Sequence, residues 1–578
     1  MSIVKKHGLA EIFQDGMLFQ RDKDIILWGY AEPDTRVTVS LYRENDAHSD
    51  NSCPAGAESV LSGSSTADTG RALPTCSTAK TNPLLSESGT ADENGKFRVT
   101  LPPREAGEGY QLHVTFESAP EASIRLEHIG FGDIWLAGGQ SNMEFFLKYD
   151  KDWEDTKKLP RNPHIRMYNV PQRAFEGHTS HNKTGYGYWF DDSDPAVETF
   201  SAPAYSFARE LQTAIGVPIG LIGCNWGGST ASTWVEEEAL TAPPLDRYLK
   251  EYRDAVAGVP AEKLDADSLA GWAFEDSVKH YADFEPLLYG RDRDWQLNYM
   301  KIHAGEPVIP MGPWNFNRPA GLYRTMLSGV IPFSIKGVLW YQGESDAGDY
   351  ALLYDKLLTA LIKNWRREWN DDFPFLIVQL APFGEWLDCD SQGYTTVREK
   401  QAAVSKDVPS VHMATIMDLG SYYDIHPKEK MEVGRRLALL ARGHVYGEKD
   451  LLCDPPEALS AARLNDSQIV VTFRYGDGLY TDGKASDWRI GLGEPTALVG
   501  EDSTSEAKPA DRNIRLQEQY AVPAEVTIEN DRVILTLPDV IPGGQSPVWV
   551  SLGWDDYAEI HLFNRAGLSA APFFMKII

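Results

Sequence analysis

Four segments near the N-terminus alternate apolar and polar residues: DIILWGYA (24–31), RVTVSLYR (36–43), KFRVTLPP (96–103) and YQLHVTFE (110–117). A period of two, punctuated by Gly, Pro and Asp, predicts half-buried β-strands. Residues 1–127 therefore read as an N-terminal, sandwich-like β domain. Residues 44–94 interrupt it with Ser, Thr, Ala, Gly and Asn and few large apolar side chains. That composition predicts a polar surface insertion.

The pattern changes at about residue 128. Short apolar runs now alternate with helical periodicity: DIWLA (133–137), APAYSFARELQTAIG (202–216), VPIGLIGCNW (217–226), KGVLWYQG (336–343), YALLYDKLLTALIKNWRREW (350–369), FPFLIVQLAPF (373–383), VHMATIMDL (411–419) and PKEKMEVGRRLALLARGHVYG (427–447). Continuous apolar strands separated by amphipathic helices predict a parallel sheet covered on both faces. Gly216 predicts a helix C-terminus, and Pro427 falls in the first turn expected for the last helix. Residues 240–315, acidic and Trp-containing, fit no sheet element and read as a large insertion into a domain spanning 128–450. From 451 to 578 the period of two returns in QIVVTFRY, RVILTLPD and PVWVSLGW, predicting a C-terminal β domain.

Bulk properties narrow the function. At 578 residues the chain exceeds one core. A net charge of −29 argues against nucleic acid and anionic membranes as partners. A neutral small molecule or a saccharide fits better, and the sequence leaves the oligomeric state open. No segment has the apolar run of a membrane span, and MSIVKKHGLAEIF has no secretory pattern. The cysteines number five with no C-x-x-C; Cys53 and Cys76 share the polar insertion, and Cys224, Cys389 and Cys453 read as lone thiols. A reducing cytoplasm is the expectation.

In an open parallel sheet the chemistry collects at the carboxyl ends of the strands. Four such ends carry polar groups: Gly138-Gly139-Gln140-Ser141-Asn142, Trp226-Gly227-Gly228-Ser229, Gln342-Gly343-Glu344-Ser345 and Asp424-Ile425-His426-Pro427. Together they hold the parts of an acyl-transfer site. Ser141 is the candidate nucleophile and His426 the base that takes its proton. Asp424, two residues from the histidine, is the candidate orienting acid, with Asp418 and Glu344 as rivals. The N–H groups of Ser141 and Gly228 and the side chain of Gln342 are candidate oxyanion donors. Glycine is expected at 228 so that the backbone can approach the substrate oxygen. The string Gly139-Gln140-Ser141-Asn142-Met143 lacks the second glycine of G-x-S-x-G, so the common serine-hydrolase elbow is excluded.

The blocks GDIWLAGGQSNMEF, GCNWGGSTASTW, KGVLWYQGESDA and YYDIHPKEKMEVGRRLAL resemble the sialate O-acetylesterase-like carbohydrate esterases of the SGNH-hydrolase superfamily. GMLFQRDKDIILWGYA and LFNRAGLSAAPF extend the resemblance over most of the chain. It implies a three-layer, flavodoxin-like α/β core with a parallel sheet, flanked by β domains. It also implies removal of acetyl groups from sugar hydroxyls without metal or cofactor. Gln140, Asn142, Glu344, Trp226 and Arg324 are candidates for substrate contact or support. Arg324, in GLYRTM, falls where the family carries asparagine, which leaves sialic acid itself open as substrate. Acetylated hemicellulose fragments of xylan or xyloglucan are the alternative substrate. A glycosidase using Glu344 and a non-catalytic sugar-binding protein are the readings from other classes. For Trp226, Trp234 and Trp340, core packing is expected ahead of a sugar-binding role.

Overall fold

The computed structural model describes residues 7–44, 82–179, 185–277, 286, 289–290, 293–387, 389–492, 521–522, 524–538 and 546–578. Two compact units divide the chain, residues 1–132 and 133–578. Cys53, Cys76 and most of the 44–94 insertion lie outside the described residues.

The first unit is built mainly from antiparallel strands, with Leu18–Gln20 pairing parallel to Gly130–Gly132. Ile25–Tyr30 pairs with Lys96–Leu101, and Arg36–Arg43 pairs with Gly107–Phe116. The predicted alternation is realised: Val37, Val39 and Leu41 are buried while their neighbours are not. Phe97 of one sheet meets Phe116 of the other with ring centroids 6.0 Å apart. The 44–94 insertion needs correction at its end. Leu85–Thr90 forms a strand along Arg36–Arg43; its Ser and Gly residues hid it, because only one face of it carries weak apolar character.

The second unit holds the α/β sheet. Its strands are β1 (the second half of Ile124–Gly139), β2 (Ile165–Asn169), β3 (Trp189–Asp191), β4 (Ile219–Asn225), β5 (Gly337–Tyr341), β6 (Phe375–Val378) and β7 (Val411–Ala414). The order is β3-β2-β4-β1-β5-β6-β7. All neighbours run parallel except the edge pair β2–β3, so the sheet is mixed rather than wholly parallel. Its helices are α1 (Ala202–Ile215), α2 (Asp246–Val256), α3 (Ala261–Glu275), α4 (Arg293–Ile302), α5 (Tyr354–Trp369), α6 (Tyr394–Asp407) and α7 (Lys430–Leu440). Ser201 caps α1 by accepting the Ala204 N–H, and Gly216 ends it at φ 65°. The last helix starts at Lys430, so Pro427 precedes it; Asp150 from a distant loop accepts the N–H groups of Lys430 and Met431 and sets that start. Helix α6 and strands β2 and β3 escaped the sequence pattern. Among the described residues, helices α2 to α4 fall within the 240–315 insertion.

Among the described residues, the strands after residue 451 form two four-stranded sheets and a two-stranded one, with a core that includes Ile469, Val471, Val533, Ile490, Val550 and Leu552. Met417, just past β7, belongs to the same core. Buried Arg398 of α6 donates to the carbonyls of Asp555 and Asp556. These ties join the C-terminal strands to the α/β sheet in one compact unit.

Candidate active site

Register brings three of the four polar turns together. Gly139 at the end of β1 pairs with Asn225 of β4 on one side and Tyr341 of β5 on the other. The turns after these residues therefore begin at one level. Gly139 has φ 138°, and a Cβ there would collide with the Tyr341 carbonyl, so glycine is required twice over. The chain then turns into one helical turn, Ser141–Glu144.

The fourth turn completes the site. His426 Nε2 lies 2.8 Å from Ser141 Oγ, and both residues are buried. Their sequence separation is 285 residues. Tyr289 and Trp386 set their rings edge-on to the imidazole at centroid distances of 5.2 and 5.3 Å. A cavity of about 420 Å³ opens in front of the pair.

Asp424 contacts His426 differently from the expectation. Its Oδ1 accepts the His426 backbone N–H at 2.8 Å, and its Oδ2 pairs with Lys428 Nζ at 3.0 Å. The carboxylate thus holds the loop that carries the imidazole. Asp418 is a poor rival, because Arg436 takes both of its oxygens at 2.7 and 2.6 Å. Glu344 borders the cavity, yet its carboxyl is buried, and burial raises its pKa. Its Oε1 accepts the Asn142 amide at 2.5 Å.

Asn142 knots the site. Its amide also donates to the Ile425 carbonyl at 3.0 Å, and its own oxygen accepts from Lys430 Nζ at 2.6 Å. Lys430 is fully buried, and desolvation pushes its ammonium down to about 7, an effect that Glu344 opposes. The residue after Ser141 therefore ties that turn to the histidine loop. Gln140 ties it to the third block, accepting the Ser345 N–H at 3.1 Å.

Two expected donors, Gln342 and Gly228, part company. Gln342 is fully buried and does not line the cavity. Its Nε2 donates to Asp346 at 2.6 Å, with Gln140 Oε1 and Ser229 O each at 3.2 Å. It braces the turns instead of facing an oxyanion. Gly228 does line the cavity, at φ 72°. A Cβ there would meet nothing within 4 Å, so the left-handed backbone demands glycine and space does not. The close approach is at Gly227, where a Cβ would stand 3.4 Å from Ser141 Cβ. Glu144 anchors that loop by accepting the Gly227 N–H at 2.7 Å. Asn317 steadies the next peptide, donating to the Gly228 carbonyl at 2.9 Å and accepting the Thr230 N–H at 2.9 Å.

The aromatic residues divide. Trp234 and Trp340 are buried, as expected. Trp226 is half-exposed at the cavity and stacks on Phe316, centroids 5.1 Å apart at 12°. Arg324 lies away from the cavity, exposed, in an ion pair with Glu237. Sequence reasoning missed Glu144, Lys430, Phe316, Tyr289 and Trp386. The acid three residues past Ser141 was a legible signal; aromatic residues in insertions and loops carry no periodicity that reveals them.

These motifs have relatives. Residues 131–265 and 310–441 match the family model described as carbohydrate esterase, sialic acid-specific acetylesterase. The chain belongs to this family. The unmatched residues 266–309 fall in the insertion that supplies Tyr289. A sialate O-acetylesterase of Rattus norvegicus is 26% identical over 392 residues, 62% of this chain and 65% of that protein. The human sialate O-acetylesterase is 24% identical over 483 residues, 77% of this chain and 72% of its own. The crystal structure of a carbohydrate acetylesterase from Xanthomonas citri superposes with a TM-score of 0.65 at 27% identity, covering 98% of this chain and 99% of that one. The match thus spans just under two thirds of the rat relative's length.

Proposed function

We propose that the protein removes O-acetyl groups from acetylated carbohydrates through a Ser141–His426 mechanism with an acetyl-enzyme intermediate. The 2.8 Å contact between Ser141 Oγ and His426 Nε2 at the mouth of the cavity carries the reading. His426 takes the Ser141 proton as Oγ attacks the acetyl carbonyl. The N–H groups of Ser141 and Gly228 receive the oxyanion. Collapse expels the sugar oxygen, which takes the proton from His426 and leaves as a hydroxyl. Water, deprotonated by His426, then cleaves the acetyl–Ser141 ester, and acetate departs as the proton returns to Ser141. Asp424 acts in this scheme by fixing the histidine loop through its backbone N–H.

The substrate side is an acetylated saccharide. Trp226 stacked on Phe316 gives a flat wall for a sugar face, which suits a hemicellulose oligosaccharide as well as a sialic acid ester. The glycosidase reading, which rests on Glu344, is disfavoured, because the Glu344 carboxyl is buried and already accepts the Asn142 amide. The scheme includes a three-layer SGNH core within residues 128–450, flanked by β domains at 1–127 and 451–578. A reducing, cytoplasmic setting is part of the same reading; cell fractionation tests it. The deciding experiment measures acetate release from 4-nitrophenyl acetate, acetylated sialic acids and acetylated xylo-oligosaccharides. Full activity in Ser141→Ala would overturn the mechanism, and the saccharide that turns over fastest names the substrate.

A further inference from the structure

A second cluster of reactive side chains lies where α7 ends. The helix passes into a wide turn, Ala441–Val445, and the chain returns eight residues later through Cys453 and Asp454. There His444 Nε2, Cys453 Sγ and an Asp454 carboxylate oxygen all lie within 4.8 Å of one another. Sγ is 3.6 Å from His444 Nε2 and 3.6 Å from Asp454 Oδ2. Asp454 Oδ1 is 2.9 Å from the same imidazole nitrogen.

The convergence on one nitrogen distinguishes this cluster from a catalytic relay. A relay uses opposite ring nitrogens, one for the acid and one for the nucleophile. Here thiol and carboxylate both face Nε2, as ligands surrounding a common point do. A tetrahedral Zn²⁺ about 2.3 Å from sulfur and about 2.0–2.1 Å from nitrogen or oxygen keeps sulfur about 3.5–3.6 Å from the other ligands. The two sulfur distances already have that length, while the 2.9 Å between Asp454 Oδ1 and His444 Nε2 is a hydrogen-bond separation that opens to about 3.3 Å around the ion. The donor set of thiolate, imidazole and carboxylate is a zinc set rather than a calcium or magnesium one.

The surroundings are built for it. A Cβ on Gly443 would collide with Cys453 Sγ, so the thiol sits directly on the turn's backbone. His412 stacks flat on His444, centroids 3.8 Å apart at 9°, and holds the imidazole plane. Cys453 is buried with Leu439 and Leu568, and the Asn564 amide donates to the Asp454 carbonyl at 3.0 Å. His444 and Asp454 keep side-chain exposures of 28% and 20%, so one side stays open for a water ligand. We propose that His444, Cys453 and Asp454 form a zinc site that fastens the end of helix α7 to the segment leading into the C-terminal strands. Binding exchanges the Cys453 S–H bond for a metal–sulfur bond and releases the proton to solvent.

Cobalt(II), a zinc stand-in with a visible spectrum, tests the proposal on the full chain after treatment with chelator. The expected result is one Co²⁺ per chain with a thiolate-to-cobalt absorption band that Zn²⁺ displaces. The band is lost in Cys453→Ser and His444→Gln and kept in Cys389→Ser. A band that survives Cys453→Ser, or its absence from the unmutated chain, overturns the site. Should the variants fail to fold, X-ray absorption on the zinc-loaded unmutated chain decides. One sulfur at about 2.3 Å with nitrogen and oxygen at about 2.0–2.1 Å upholds the proposal, and a shell without sulfur overturns it.

Discussion

Two places in this molecule bring an imidazole, an aspartate and a side-chain nucleophile together, with opposite wiring. At the sheet edge, Ser141 Oγ meets His426 Nε2, while Asp424 reaches the same residue through its backbone N–H. Serine and aspartate thus engage different parts of His426, ring and backbone, and a cavity stands before the Ser141–His426 pair. Near the end of α7, Cys453 and Asp454 converge on one nitrogen of His444. A hydroxyl alone on one ring nitrogen can pass it a proton; a thiol and a carboxylate converging on one nitrogen can surround a cation. Residue types alone, Ser-His-Asp and Cys-His-Asp, do not separate the two.

The largest expected effect breaks or keeps the first half of that contrast. Ser141→Ala and His426→Ala each lose about 10⁴-fold or more in kcat on 4-nitrophenyl acetate. Substantial residual turnover in either variant would remove the relay. Gly228→Ala is next. A side chain at φ 72° costs about 1–2 kcal/mol of backbone strain, and a displaced oxyanion N–H lowers kcat/KM by about 10²-fold. Unchanged kcat/KM with a lowered Tm would leave that glycine a conformational role only.

Asp424→Asn sharpens how the aspartate acts. Its amide oxygen can still accept the His426 N–H while the charge facing Lys428 is gone, so a loss of about 10-fold in kcat is expected. A loss near 10⁴-fold would instead mark direct orientation of the imidazole ring. Trp226→Ala is expected to raise KM for an acetylated oligosaccharide by about 3–10-fold and to leave 4-nitrophenyl acetate unaffected, as loss of one stacking face predicts.

The smallest effect concerns pH. Burial raises the Asp346 pKa from 3.8 to about 6. The folded state then holds a proton that the unfolded chain releases between those values. This group's contribution to stability is complete below about pH 4 and is lost as pH rises through 6. Thermal melts of Asp346→Asn and the parent chain across pH 4–7 therefore differ in slope, the parent falling more steeply.

Much of the fold was legible. The period-two strands in 24–43 and 96–117 reappear where the pattern lies, because one face of each is buried and the other is wet. Helix α1 ends at Gly216 because only glycine takes that φ without strain. Strand Leu85–Thr90 and edge strand β3 were invisible, since short or polar strands are held by backbone pairing with neighbours rather than by their own side chains. Helix α7 starts three residues later than its proline suggests because Asp150, 280 residues away, supplies the cap.

The sequence by itself determined the four polar turns, the Ser141 and His426 side chains they carry and the family they resemble. Those depend on residue type and short spacing, which a linear string displays. The tertiary structure alone decided which donors are already engaged. Gln342 is closed off by Asp346, Gln140 and Ser229, Arg324 is held by Glu237 at the surface, and Trp226 faces the cavity while Trp234 and Trp340 do not. It also decided that His444, Cys453 and Asp454 share one point. Hydrogen-bond partners and burial are set by residues hundreds of positions apart, and no local pattern encodes them.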